Sequence, residues 1–231
     1  MTQPKPATAT STLAAALWDF DGTLADTEPL WIAAEFDLVN GLGHDWDHEH
    51  AQQLVGNALI DSAAYILTAI GRPDLTPEWV VQQLLDRVVV SLRTQPIPWR
   101  PGALALLESF AAAGVPCALV SASYRVLLDA ALAQLPSGTF QTSVAGDEVS
   151  RGKPDPEPYA TACRLLGVQA RDCVVLEDSN PGAASGNAAG ALVLAVPNQV
   201  VIADAPRRLH VPSLTELDAA GVARLLQRAN A

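Results

Sequence analysis

The stretch LWDFDGTLADTEPLW, residues 17–31, closes an apolar run opened at Leu13 with two aspartates, Asp19 and Asp21, one residue apart. An ionised carboxylate at the end of a buried strand is costly unless it is paired or coordinates a cation. Four further short apolar runs share the character of this one: VPCALVSAS from Val115, TSVAG from Thr142, CVVLED from Cys173 and ALVLAV from Ala191. Runs this short and this apolar read as buried parallel strands. Helical patterns alternate with most of them. RPGALALLESFAAAG carries proline near its start and Gly114 at its end, and DPEPYATACRLLG ends on Gly167 in the same way. The alternation predicts an α/β fold built on a doubly wound, mostly parallel Rossmann-like sheet.

One spacing breaks the pattern. A strand–helix–strand unit takes about thirty residues, yet the first strand closes near Phe20 and the second opens at Val115. The intervening chain reads as helices without a clear strand: EPLWIAAEFDLVNGLG, DHEHAQQLVG, LIDSAAYILTAIG and TPEWVVQQLLDRVVVSLR. We therefore expect an inserted all-helical domain over 27–98 and a Rossmann-like core from 13–26 and 99–231. The return linker TQPIPWRPG is rich in proline, which favours a semi-rigid connector. PNQVVIADAPRRLHVPSLTELDAAGVARLLQ reads as a last strand and helix at the sheet edge. The opening MTQPKPATATST reads as a disordered tail over 1–12.

Composition narrows the partners. The chain has 231 residues, is 49% hydrophobic and carries a net charge of -11, which suits a packed core. The charge argues against nucleic acid and against an anionic membrane surface, both of which select clustered Lys and Arg. A small molecule is the partner expected, with a monomer or weak homodimer as the assembly. Cys117, Cys163 and Cys173 are odd in number and set among apolar residues, which suits reduced thiols and a cytoplasmic protein. The longest apolar run, AAGALVLAV, is too short to span a bilayer, and the opening residues lack the apolar core of a signal peptide.

In open α/β sheets, ligands bind beyond the carboxyl ends of the strands. Asp19 and Asp21 fall at the end of the first expected strand, Ser121 and Ser123 at the end of the second, and Glu177 and Asp178 at the end of the fourth. Lys153, in RGKPDPEPY, lies between the third and fourth. Carboxylates gathered in one place repel unless a cation sits among them or some are protonated. All-oxygen ligands favour a hard ion, and few protein ligands point to Mg²⁺. Gly22 lets the backbone turn sharply beside a ligand.

These residues resemble the haloacid dehalogenase superfamily, and within it the β-phosphoglucomutase-like phosphatases. WDFDGTLADTEP resembles the first motif, LVSAS the second, GKPDPEPY the third and LEDSNPGAASGNAAG the fourth, in order, over Ala14 to Val196. The helical insertion stands where that family carries its cap. The resemblance implies that Asp19 is the nucleophile, forming an aspartyl-phosphate, and that Asp21 is the general acid and base. It implies Mg²⁺ held by the Asp19 carboxylate, the Asp21 backbone carbonyl and Asp178, with Glu177 a ligand or a neighbour of one. Ser121 and the amide of Ala122 would hydrogen-bond the phosphoryl group. A phosphate dianion approaching an anionic nucleophile also needs positive charge. The chain has two lysines, Lys5 in the tail and Lys153, so Lys153 is the expected source, with Arg125 and Arg151 as helpers. Thr23 and Thr27 either cap turns or touch phosphate, and Trp31 either packs and anchors the cap or presents an apolar wall to the leaving group.

The resemblance implies a Mg²⁺-dependent phosphatase of a small phosphate monoester, such as a sugar or polyol phosphate, with the cap closing to exclude water. Asp21 favours this over dehalogenation, which has no leaving alkoxide to protonate. A phosphonatase needs a cap lysine, and 27–98 has none. A sugar phosphomutase would need polar or cationic groups where Trp31, Val55 and Ile60 stand. A non-catalytic binding module would have lost Asp19, Asp21, Lys153 or Asp178, and all four are present. His44, His48 and His50 in GHDWDHEHAQ read as a solvated helix start, with Asp45 or Asp47 as its N-cap.

Overall fold

A computed structural model describes residues 13–54 and 58–231. The tail expected over 1–12, with Lys5, and Val55 lie outside them. Six strands form one sheet: β1 (Ala15–Trp18), β2 (Cys117–Val120), β3 (Thr142–Val144), β4 (Cys173–Glu177), β5 (Leu192–Ala195) and β6 (Arg208–His210). All neighbours are parallel, in the order β3-β2-β1-β4-β5-β6. β1 is central, with Ala16 beside Cys117 on one side and Val174 on the other.

The alternation of side chains along a strand divides the core into two layers. Ala16 and Trp18 join Leu119 and Leu176 on one face, with α5 (Ala103–Ala112), α6 (Arg125–Leu132) and α9 (Ala219–Ala229) packed there through residues such as Phe110, Leu127 and Val222. Ala15 and Leu17 join Val120 and Val175 on the other, against α7 (Glu157–Leu166) and α8 (Asn180–Ala189) through Tyr159 and Ala183. Both faces are covered, as a parallel sheet requires.

Between β1 and β2 lie four helices: α1 (Glu28–Gly41), α2 (His48–Gln52), α3 (Leu59–Ile70) and α4 (Pro77–Thr94). The longest of them, α4, starts with Thr76 accepting from the Trp79 amide and Pro77 at its first position, a start that satisfies one orphan donor and needs no other from Pro. It buries Val81, Leu84, Leu85, Val88 and Leu92 at helical spacing. It packs against α1 and α3, and also against α6 of the core. The fold expected from the sequence, a Rossmann-like sheet with an all-helical insertion, is the fold observed. None of the described helices is long and apolar enough to cross a membrane.

The two connectors between cap and core run side by side. The Asp26 amide donates to Pro98 O at 2.8 Å, the Arg100 amide donates to Leu24 O at 2.9 Å, and Ala25 bridges Trp99 between them.

Candidate active site

The strand order reverses between β1 and β4, and such a switch point opens a crevice beyond the strand ends. Asp19 is the first residue past β1, and its amide still donates to Leu176 O of β4 at 3.1 Å. Glu177 ends β4 and Asp178 follows it. Carboxylate oxygens of Asp19, Glu177 and Asp178 lie within 4.8 Å of one another, and all three residues are buried.

Lys153 answers this charge. Its loop is tied to the start of α7 by Glu157, whose carboxylate accepts from the Ser150 and Arg151 amides at 2.8 and 2.9 Å. Lys153 Nζ donates to Asp19 Oδ1 at 2.6 Å, Glu177 Oε1 at 2.6 Å and Val120 O at 3.0 Å. Those three acceptors match its three donors, and Tyr159 offers its ring face 5.0 Å away. Burial alone would pull the ammonium down, but the charges of Asp19 and Glu177 outweigh it and raise its affinity for the proton.

Glu177 is fully buried and both its oxygens are engaged. Oε1 accepts from Lys153 and from the Tyr159 hydroxyl at 2.8 Å, while Oε2 accepts from Ser179 Oγ at 2.9 Å and the Ser179 amide at 3.3 Å. A Cβ on Gly182 would stand 1.7 Å from Glu177 Oε1, so only glycine fits the helix turn beneath it. Asp178 accepts from Thr23 Oγ1 at 3.1 Å. Gly22, at φ +87°, passes so close that a Cβ there would fall 2.0 Å from Asp178 Oδ2. Burial first, and then the charge of Glu177, pushes the Asp178 carboxyl up to about 7. Burial and Glu177 also push Asp19 well above the usual range, despite the opposing charge of Lys153. Three carboxylates against one ammonium leave negative charge that a divalent cation would neutralise.

Asp21 faces another way. Its Oδ1 accepts from Thr27 Oγ1 at 2.6 Å and from the Trp31 indole Nε1 at 3.3 Å. Its Oδ2 accepts from Ser121 Oγ at 3.1 Å and Ser123 Oγ at 2.7 Å. Thr27 holds Asp21 through its hydroxyl. Trp31 presents a donor to the acid, not simply an apolar wall, because its indole edge is turned inward from α1. Ser121 donates to Asp21, with the exposed Ala122 beside it.

Neither arginine helper is brought to the acids. Arg125 reaches Glu148 at 2.5 Å and Asp129 at 3.3 Å, and donates to Ser143 Oγ at 2.8 Å. Arg151 is exposed and pairs with Asp155 at 3.1 Å. At the start of α2, Asp47 accepts from the His50 amide at 2.9 Å as N-cap. His50 stacks on Trp46 at 4.6 Å and meets the Tyr65 hydroxyl at 2.9 Å. The sequence reading did not name Tyr159, Ser179, Gly182 or Asn198 as site residues. All four lie inside stretches quoted above, but no local pattern marks them; Asn198 closes on Asp178 through a hydrogen bond that opposes the upward push of burial on that acid.

The model of the family described as haloacid dehalogenase-like hydrolase matches residues 16–196. Hexitol phosphatase A of Escherichia coli (strain K12) is 31% identical over 211 residues, covering 87% of this chain and 87% of that protein. The bifunctional riboflavin kinase/FMN phosphatase of Arabidopsis thaliana is 32% identical over 184 residues, 79% of this chain; the match spans only about half, 48%, of that longer protein. Among solved structures, CbbY from Rhodobacter sphaeroides in complex with xylulose-1,5-bisphosphate superposes with a TM-score of 0.78 at 29% identity, covering 89% of this chain and 96% of that one.

Proposed function

The chain belongs to the haloacid dehalogenase-like hydrolases and is a phosphatase of a small phosphate monoester working through an aspartate nucleophile; we propose that Asp19 is that nucleophile and Asp21 its acid–base partner. The carrying observation is the buried Lys153 ammonium at 2.6 Å from both Asp19 and Glu177. It holds the Asp19 carboxylate in one orientation and supplies positive charge where a phosphoryl group must approach an anion.

Asp19 attacks phosphorus, forming an acyl phosphate as the bond to the leaving oxygen breaks. Asp21 gives that oxygen its proton, and afterwards takes one from the water that attacks the acyl phosphate, releasing phosphate and restoring the Asp19 carboxylate. Thr27 and Trp31 on one side and Ser121 and Ser123 on the other fix where this proton is exchanged. Glu177, with both oxygens already hydrogen-bonded, balances and orients Lys153. The donor set fits Mg²⁺ held by Asp19 and Asp178 with the Asp21 carbonyl, which would neutralise their excess charge and polarise the phosphoryl oxygens. The cap limits we propose are 27–98, bounded by the paired connectors. A polyol or sugar phosphate is the substrate class favoured by the relationship to hexitol phosphatase A.

Asp19→Asn tests this reading. Phosphate release from p-nitrophenyl phosphate and from a hexitol 6-phosphate is expected to fall to background, with the circular dichroism spectrum unchanged. Substantial turnover by the folded variant removes Asp19 from its role.

A further inference from the structure

A cleft of about 410 Å³ lies between α1 and the loop after β5, lined by Glu28, Ile32, Phe36 and His48 of the cap and Gln199 of the core. Both of its rims adjoin the acids. Glu28 follows Thr27, whose hydroxyl is on Asp21, and Gln199 follows Asn198, whose side chain meets Asp178. Glu28 is half-buried, and burial together with the charges of Asp21 and Asp26 pushes its carboxyl up. It thus both lines the cleft and feels the charge of the proton-transfer group. Volume and lining are those of a small-molecule subsite, mostly apolar with few polar groups. An alcohol that offers both hydroxyls and CH groups matches a lining that combines Glu28, Gln199 and His48 with Ile32 and Phe36.

The cap places no lysine or arginine in the lining of the cleft. Residues 27–98 contain ten Asp and Glu, three Arg and no Lys. Arg72 is paired with Asp74 at 2.7 Å, and Arg87 with Asp37 at 2.7 Å. Arg93 is exposed in the last turn of α4, where the Leu92 and Gln95 carbonyls accept from Gln134, beyond the end of α6 remote from Arg125. On the core side, Arg100 is directed at Pro197 O and Asn198 Oδ1, at 2.8 and 3.2 Å. A phosphate or carboxylate entering the cleft would face the Glu28 carboxylate with no lysine or arginine among the lining residues.

We propose that this cleft is the leaving-group subsite and that Glu28 sets its specificity, admitting an uncharged polyhydroxy leaving group and rejecting one with a second anionic group. The proposal rests on the phosphatase reading and adds to it the residue that sets specificity. Its test compares kcat/KM for a hexitol 6-phosphate with that for a hexose 1,6-bisphosphate, in the wild type, Glu28→Gln and Glu28→Lys. The wild type is expected to prefer the monophosphate by at least about tenfold, the scale of one nearby unit charge partly screened by solvent. The preference narrows in Glu28→Gln and narrows further or reverses in Glu28→Lys. Equal wild-type rates on the two esters, a measurement that needs no variant, overturn the proposal, as does a ratio unmoved in both folded variants. p-Nitrophenyl phosphate separates the two readings. If it is hydrolysed and the ratios fail, the specificity assignment alone falls; if the wild type hydrolyses none of the three esters, both fall.

Discussion

Asp21 receives side-chain hydrogen bonds from four residues, and they come from both sides of the cleft between cap and core. Ser121 and Ser123 follow β2, whereas Thr27 and Trp31 stand at the start of α1. The Trp31 indole is thus the link through which the first cap helix fixes the acid. Trp31→Phe keeps the ring and removes the donor. We expect kcat to fall about tenfold with KM little changed, since one hydrogen bond to a charged group contributes about 1.5–3 kcal/mol, and the pH profile of kcat to shift. Trp31→His, which restores a donor, should recover part of the loss. A kcat and profile identical to wild type would make Trp31 a packing residue. Aspartates two apart followed by glycine and threonine were legible in sequence as a site, because that order is local. Which hydroxyls and which indole close on Asp21 was not, since Ser123 lies 102 residues away and only folding brings it there.

The elements show how one helix serves several purposes. α1 turns Trp31 toward Asp21, Ile32 and Phe36 toward the cleft, and Ala34, Glu35, Leu38 and Val39 toward the cap interior. Its helical spacing was visible in sequence, but the burial of an acid on it was not. Glu35 is 6% exposed and accepts from Trp46 Nε1 at 3.4 Å. Burial, opposed by that hydrogen bond and reinforced by the charge of Glu28, pushes its carboxyl up to about 7. A carboxyl raised on folding favours the native state at pH below its unfolded value, and this contribution is lost as pH rises through about 7. Glu35→Gln is therefore expected to raise Tm at pH 8 relative to wild type and to leave it nearly unchanged at pH 4. Thermal melts at the two pH values check this, and a Tm gain equal at both would assign the effect to packing. His50 and Tyr65, both in ring contact with Trp46, and Glu28 are titratable neighbours, so the comparison is made with all three left intact.

Over the whole molecule, the sheet order brings acids separated by most of the chain to one place, with Lys153 as their buried counter-charge. The arrangement carries more negative than positive charge at its centre, so any divalent cation that binds there binds the folded state. Such binding stabilises by about 2.7 kcal/mol at a hundred times Kd. Millimolar Mg²⁺ should raise the Tm of the chelator-treated protein and restore its phosphatase activity, with neither effect in Asp178→Asn. Full activity in excess chelator would remove the cation from the scheme. The sequence by itself determined the alternation of strands and helices, the helical insertion, and the four short stretches that carry the acids and Lys153, because periodicity and motif spacing are properties of neighbouring residues. Only the tertiary structure decided that Arg125 pairs with Glu148, that Glu177 serves Lys153, that Thr27 and Trp31 hold Asp21, and that a cleft opens beside Glu28. Those outcomes depend on which distant side chains meet once burial has removed water as their partner, and a buried polar group takes whichever partner the packing supplies.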